Sequence, residues 1–86
     1  MPELSRFFGI IVRLYFNDHE PPHFHACYGE HEALVEIETL SVLRGSLPRR
    51  ALAMILEWAM LHRPELRDAW AKARMGNVPS PIDPLD

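Results

Sequence analysis

Apolar and polar residues alternate with a period of two in three stretches of this chain, residues 7–16, 23–28 and 33–39. Successive side chains of a β-strand point to opposite faces of its sheet, so the alternation predicts strands with one face in a core. Asp18, Pro21 and Pro22 separate the first two stretches, and consecutive prolines stop a strand because they have no N–H group to donate. The sequence therefore predicts a three-stranded antiparallel β-meander.

A short extended segment and two amphipathic helices are predicted after these strands. The segment, residues 42–44, would add a fourth strand. Pro48 suits a first helical turn, where its missing N–H group costs nothing, and it begins a predicted helix over residues 48–62. Apolar residues at helical spacing predict a second helix from Pro64 to near Gly76. The fold class is therefore α+β, with two α-helices packed on one face of the sheet.

The chain is short enough for a single domain, which we place over residues 1–76. Residues 77–86 form a proline-rich C-terminal tail, which we expect to be extended and partly mobile. The predicted core combines the apolar faces of the strands and helices. Its members are Phe8, Ile10, Val12, Leu14, Phe24, Val35, Ile37, Leu52, Ile55, Leu56, Leu66 and Trp70.

A polar face is predicted on the side of the sheet away from this core. Pairing the strands so that their apolar residues share one face sets His25 opposite Glu36 and Tyr15. The same pairing sets His23 opposite Glu38, and directly opposed side chains have Cβ atoms about 4.5–5.5 Å apart. The predicted polar cluster comprises Arg13, Tyr15, Asn17, His23, His25, Glu36 and Glu38, with Asp18 and His19 at its rim.

Charge and hydropathy limit the classes of partner and compartment. The net charge of −3 excludes a global basic field that would attract nucleic acid, although bases are in excess over residues 41–76. Cys27 is the only cysteine, so an internal disulfide is excluded. The sequence shows no charged-then-apolar leader and no apolar run near the roughly 18 residues of a membrane span. We therefore expect a cytoplasmic protein with no membrane partner.

One motif is specific enough to suggest a family. The run Asp-His-x-Pro-Pro-His-x-His occupies residues 18–25, and further characteristic segments lie at residues 2–10, 28–30, 47–52 and 57–58. On these residues the chain resembles the prokaryotic domain-of-unknown-function family numbered 4160, over nearly its whole length. The resemblance implies a small stand-alone bacterial protein whose gene often neighbours that of another small uncharacterised domain, in an arrangement that looks like a toxin–antitoxin or regulator pair. It implies no activity, cofactor or catalytic residue.

The histidines of this motif allow three hypotheses, of which the first is a divalent metal site, for example for zinc. His23 and His25 lie two residues apart on a predicted strand, so their side chains project to the same side. His19 or a carboxylate would complete a set of three ligands and leave a position open for catalysis.

The second hypothesis is metal-free acid–base catalysis on RNA. A histidine near its ordinary pKa both accepts and gives up a proton at neutral pH. An arginine beside two such histidines would stabilise the charge that develops at a phosphate, although nearby carboxylates would repel a phosphate backbone. The candidate catalytic residues are His23, His25, Arg13, Tyr15 and Glu36.

The third hypothesis is that the polar face holds only ordinary cross-strand pairs or docks a partner chain. The first predicted helix carries a second apolar stripe, Met54, Trp58 and Leu61, which indicates an interface. Arg49 and Arg50 oppose the dipole at the start of this helix, which favours contact with an anion or a partner.

These features, with the implied gene neighbourhood, favour a regulatory or toxin–antitoxin-like interaction module. It would act with a second small protein or as a homo-oligomer, with nucleic acid as a further candidate partner. The alternative is a histidine-centred metal-binding protein or a small RNA-cleaving enzyme. No reaction, metal or partner identity follows from the sequence.

Overall fold

Five antiparallel strands followed by two helices make up the structure, a computed structural model that describes residues 2–86. The strands are β1 (Glu3–Phe7), β2 (Ile10–Arg13), β3 (His23–Tyr28), β4 (His31–Glu36) and β5 (Val42–Gly45), and the helices are α1 (Arg49–Leu61) and α2 (Arg63–Arg74). Strands that follow one another in the sequence are neighbours in the sheet. The predicted α+β class is confirmed, but the sheet has five strands rather than three or four.

The first predicted strand is in fact a hairpin. Phe7 pairs with Ile10, and the intervening Phe8 and Gly9 both have positive φ, as two-residue hairpin turns of this kind require. Phe8 is therefore 59% exposed at the tip of the turn and not in the core, where it was predicted. A period-two pattern does not reveal the hairpin, because Ile10 and Val12 continue the alternation directly after the turn.

Both predicted registers are wrong by two residues, although the faces are right. β2 and β3 pair so that His25 lies opposite Arg13, and β3 and β4 pair so that His25 lies opposite Leu34 and His23 opposite Glu36. A shift of two residues leaves each side chain on its original face, so the apolar pattern cannot distinguish these registers. The tight turn after β3 is centred on residues 29–30, whereas the predicted pairing of His25 with Glu36 would centre it on residues 30–31.

β5 forms one edge of the sheet, at the short extended segment predicted for residues 42–44. All four of its residues are exposed, and the pairing with β4 shifts between Leu34 and Val35. Gly45 has a φ of +79°, and a Cβ atom there would collide with the carbonyl oxygen of Glu32. Glycine is therefore required where β5 approaches β4.

The core lies between the sheet and the two helices. Most of the predicted core residues are buried, while Leu52 and Leu56 lie half-buried at its margin. Trp58 was predicted at a partner interface, but it has no exposed surface. Its ring lies 5.5 Å from that of Phe7 and 5.9 Å from that of Phe24. The second apolar stripe of α1 is therefore partly core.

The tail explains why Trp58 is covered. Residues 77–86 contain no helix or strand, yet Ile82 is buried and its N–H donates to the carbonyl oxygen of Leu4 on β1. The indole Nε1 of Trp58 donates to the carbonyl oxygen of Asp83 at 2.8 Å. The tail therefore lies against β1 and α1. Neither helix within residues 2–86 is long and apolar enough to cross a lipid bilayer.

We expect Ile82→Ala to lower the free energy of unfolding by about 2–5 kcal/mol, because it removes a buried side chain from the core. Val78→Ala in the same tail is the control, since Val78 is exposed, and it should change stability by less than about 0.5 kcal/mol. Urea unfolding measures both. Equal effects from the two variants would show that the tail does not pack as described.

Candidate functional site

The loop between β2 and β3 carries Asp18 to the two histidines at the start of β3. His23 and His25 project from the same side of β3, as their spacing predicts. The Oδ2 atom of Asp18 lies 3.1 Å from Nε2 of His23 and 3.1 Å from Nε2 of His25. These three donor atoms lie within 4.8 Å of one another. One carboxylate oxygen therefore faces two imidazole nitrogens at once.

The carboxylate of Asp18 is oriented by its own loop. Asn17 turns the chain with a φ of +56°, and the backbone N–H of His19 donates to Oδ1 of Asp18 at 2.9 Å. This bond leaves Oδ2 for the two imidazoles. Burial raises the pKa of the Asp18 carboxyl. The hydrogen bonds from His25 and the His19 N–H, with the charges of both imidazoles, nevertheless hold it below its usual value. The group is therefore an anion at neutral pH.

His23 is 5% exposed and has one ring nitrogen without a hydrogen-bond partner. Its Nδ1 lies 2.8 Å from the carbonyl oxygen of Pro21, which only accepts, so Nδ1 is the donor. In the neutral ring Nε2 then carries a lone pair and lies near the carboxylate of Asp18. The 3.1 Å approach to Asp18 is not aligned as a hydrogen bond, so Nε2 is buried and unpartnered. The Trp70 ring on α2 covers this imidazole at 5.3 Å.

His25 meets a carboxylate oxygen at each of its ring nitrogens. Nδ1 lies 3.0 Å from Oε2 of Glu32, and Nε2 lies 3.1 Å from Oδ2 of Asp18. A neutral imidazole has only one N–H group, so it cannot donate to both carboxylates. Either the ring is doubly protonated, or a cation takes the place of the proton between Nε2 and Asp18.

The arrangement has the features of a metal site with outer partners. Ligand atoms around one tetrahedral zinc ion lie roughly 3.2–3.6 Å apart, which is close to the two nitrogen–oxygen distances here. Metal-binding histidines usually donate their second ring N–H to a carbonyl or carboxylate, which fixes the ring. The Pro21 carbonyl takes this role for His23, and the Glu32 carboxylate takes it for His25.

A cleft of about 360 Å³ opens beside these ligands. Leu34, Leu43 and Arg44 form its far wall on β4 and β5, and Glu20 and Pro21 form its near wall. The peptide bond between Glu20 and Pro21 is cis. The Glu20 carboxylate is engaged by Arg74 of α2, whose guanidinium lies 5.9 Å from the Trp70 ring. The second helix thus closes one side of the site.

The sequence-predicted ligand His19 is not part of the cluster. Its side chain is exposed at the cleft wall, and its backbone rather than its imidazole contacts Asp18. The structure instead brings Asp18, which the sequence placed only at the rim, beside both histidines, where it could serve as a third ligand. Because Asp18 lies in a loop, strand pairing gives no information about where its carboxylate points.

The structure places only some of the residues of the acid–base hypothesis in contact with one another. The Tyr15 ring lies 4.3 Å from that of His25, and burial raises the pKa of its phenol. Arg13 lies opposite His25 in the sheet. Glu36 lies opposite His23, but no hydrogen bond or ion pair joins them among residues 2–86.

Two carboxylates have partners that the sequence analysis did not predict. Glu38 forms a two-pronged ion pair with Arg67 of α2, away from the histidines. Glu32, which is absent from the predicted polar cluster, contacts His25 because the observed register places it opposite Cys27. The pKa of the Cys27 thiol is raised mainly by burial and secondly by the negative charge of Glu32. A prediction made with the observed register would have placed Glu32 beside His25.

The predicted interface residues on α1 are dispersed. Arg49, Arg50 and Leu61 are exposed, and Met54 is half-buried against the core. They do not adjoin the Asp18–His23–His25 cluster through any hydrogen bond or ion pair described within residues 2–86. A partner surface on α1 would therefore be separate from the histidine site.

Comparison with known proteins places the chain in a family. No curated protein and no solved structure shows significant similarity to it. Residues 9–71 match the family described as Domain of unknown function (DUF4160). The matched range covers more than half of the chain and includes Asp18, His23, His25 and Glu32. The chain therefore belongs to the DUF4160 family.

Proposed function

We propose that this protein binds one divalent transition-metal ion through Asp18, His23 and His25. The observation that carries the proposal is the unpartnered Nε2 atom of His23, which is buried and lies 3.1 Å from Oδ2 of Asp18. A buried polar atom without a partner costs about 1–3 kcal/mol of stability. An ion between Nε2 and Oδ2 would remove this cost by bonding to both atoms.

The ligand chemistry favours a particular group of metals. Two imidazoles and one carboxylate suit zinc and Fe(II), whereas calcium and magnesium prefer sets of oxygen ligands. The same set would satisfy His25, because an ion would replace the proton on Nε2 while Glu32 accepts the proton on Nδ1. One cation would therefore resolve the hydrogen-bonding conflict of both histidines.

Three protein ligands leave at least one coordination position for another molecule. Structural zinc sites have four protein ligands, and catalytic sites have three with water or substrate at the remaining position. The cleft beside Asp18 and His25 gives water access to that position. The proposed ion would therefore act on a bound water or ligand, as a Lewis acid, rather than hold the fold together.

Metal-free cleavage of RNA has weaker support. Both ring nitrogens of His25 are occupied by carboxylates, so this histidine has no free nitrogen to exchange a proton with a substrate. The carboxylates of Asp18 and Glu32 would also repel a phosphate backbone unless a cation neutralised them. These contacts favour a metal ion over the acid–base pair.

We expect the wild-type protein to bind one zinc ion per chain in calorimetric titrations. Loss of a group that only hydrogen-bonds a metal ligand typically weakens binding by about 10–100-fold. Asp18→Asn and His25→Ala should each weaken binding by more than this, because each removes a ligand itself. His19→Ala and His31→Ala are the matched controls and should bind as the wild type does, since both histidines are exposed outside the ligand set.

The buried position of His23 calls for a separate check. His23→Gln is the preferred variant at this site, with circular dichroism to show that the fold is retained. Absence of stoichiometric binding by the wild type, or an equal loss in His19→Ala and His25→Ala, would overturn the proposed ligand set.

Glu32 acts on the proposed ion only through His25. Glu32→Gln should weaken zinc binding by about 10–100-fold, because it removes the charged acceptor that orients the imidazole. Glu30→Gln is the control, since Glu30 is exposed in the turn that precedes β4. Glu32→Asp should recover part of the affinity. A Glu32→Gln variant that binds as tightly as wild type would show that Glu32 does not position His25.

A partner-binding role is the second candidate function, and exposed apolar residues of α1 favour it. Met60 and Leu61 are adjacent at the end of the helix and are 61% and 65% exposed. Neighbouring exposed apolar residues are typical of protein interfaces. We propose that this end of α1, together with Arg49 and Arg50 at its start, contacts a second small protein or another copy of the chain.

Light scattering at several protein concentrations tests the homo-oligomer directly. We expect a dimer that Leu61→Asp converts to a monomer, because a charge there would be buried in the interface. Phe8→Asp is the control, since Phe8 is similarly exposed at a hairpin tip far from α1 in the sequence. A monomeric wild type at all concentrations would exclude self-association through α1.

A further inference from the structure

We infer that the cleft beside the proposed metal ion takes a small molecule with an oxyanion group, a phosphate or a carboxylate, held between the ion and Arg44. This inference rests on the proposed metal binding and names the class of ligand that would occupy its open position.

Arg44 shares one row of the sheet with the histidine site. It lies opposite Leu34, and Leu34 lies opposite His25 on the next strand. Two strand spacings separate His25 from Arg44, which is about 9–10 Å. Both residues line the same cleft. An anion bonded to the ion at His25 would therefore lie toward the guanidinium of Arg44.

Arg44 differs from the arginines of α2 and β1 in having no partner. Arg6, Arg67 and Arg74 each pair with a carboxylate. Arg63 donates to the carbonyl oxygen of Ile37. Within residues 2–86, no hydrogen bond or ion pair engages the guanidinium of Arg44. Its five N–H groups are thus available to a ligand, and guanidinium groups bind phosphate and carboxylate with two parallel hydrogen bonds.

The charge of the cleft becomes positive when an ion is bound. Among the residues that line the cleft, with neutral histidines, the carboxylate of Asp18 balances Arg44, while Glu20 is neutralised by Arg74. A divalent ion makes the same group of charges positive by two. The cleft would therefore attract an anion much more strongly with the metal than without it.

The remaining walls of the cleft favour a small molecule. Leu34, Leu43 and Pro21 are apolar, and a volume of about 360 Å³ falls in the range of small-molecule sites. Glu36 lies further along β4 and has no ion pair within residues 2–86, which disfavours an extended polyanion along the sheet. An oxyanion on a small, partly apolar molecule matches both the charge and the walls.

The test measures the coupling between metal and anion. Cobalt(II) is titrated into wild-type protein and Arg44→Gln, without added anion, with inorganic phosphate, or with acetate, and visible absorption reports the coordination of the cobalt. Protein-free titrations correct for complexes between cobalt and the anions. Arg6→Gln is the control, because Arg6 is an exposed arginine outside the cleft.

We expect phosphate or acetate to tighten cobalt binding to the wild type by about 10-fold, within the usual range for coupled sites. Arg44→Gln should keep the anion-free affinity for cobalt and reduce the coupling to less than about 2-fold, while Arg6→Gln keeps the full coupling. Coupling by phosphate alone would assign a phosphate-bearing ligand, and coupling by acetate alone would assign a carboxylate.

The two proposals fail in different ways. Cobalt binding that neither anion strengthens, or coupling that Arg44→Gln leaves intact, would overturn the oxyanion site and leave the metal site standing. Failure of the wild type to bind cobalt would overturn both.

Discussion

The alternation of side chains along β3 connects the core to the candidate site. Phe24 and Ala26 point into the core and fix the strand against α1, so His23 and His25 must point to the other face. The register in which β3 pairs with β2 and β4 then determines which groups surround the histidines. The geometry of the site is therefore a consequence of core packing, and only Asp18 is contributed by a loop.

α2 reaches this site from the core side of the molecule. Trp70 covers His23, and Arg74 engages Glu20 in the loop that carries Asp18. The result is a polar cluster with one fully enclosed histidine and one side open to a cleft. A buried nitrogen without a partner would be a defect in an ordinary sheet face, but it is what a metal ligand requires before the ion is bound.

The sequence was sufficient for the fold class, the two helices, most of the core and the shared face of His23 and His25. Period-two alternation cannot locate a two-residue turn or distinguish registers that differ by two, so the β1–β2 hairpin and the pairing of Glu32 with His25 were missed. Trp58 was misplaced because its stripe on α1 is covered by the tail, through a contact 25 residues away in the sequence. His19 was preferred over Asp18 because residue type alone does not show which side chain a loop turns inward.

X-ray absorption spectroscopy of the zinc-loaded protein tests the central claim most directly, because it reports the atoms bonded to the metal. If Asp18, His23 and His25 bind the metal, we expect two imidazole ligands, with their characteristic outer-shell scattering, and one or two oxygen atoms at about 2.0–2.2 Å. A zinc shell of oxygen atoms without imidazole scattering would contradict the assignment of Asp18, His23 and His25 as the metal site.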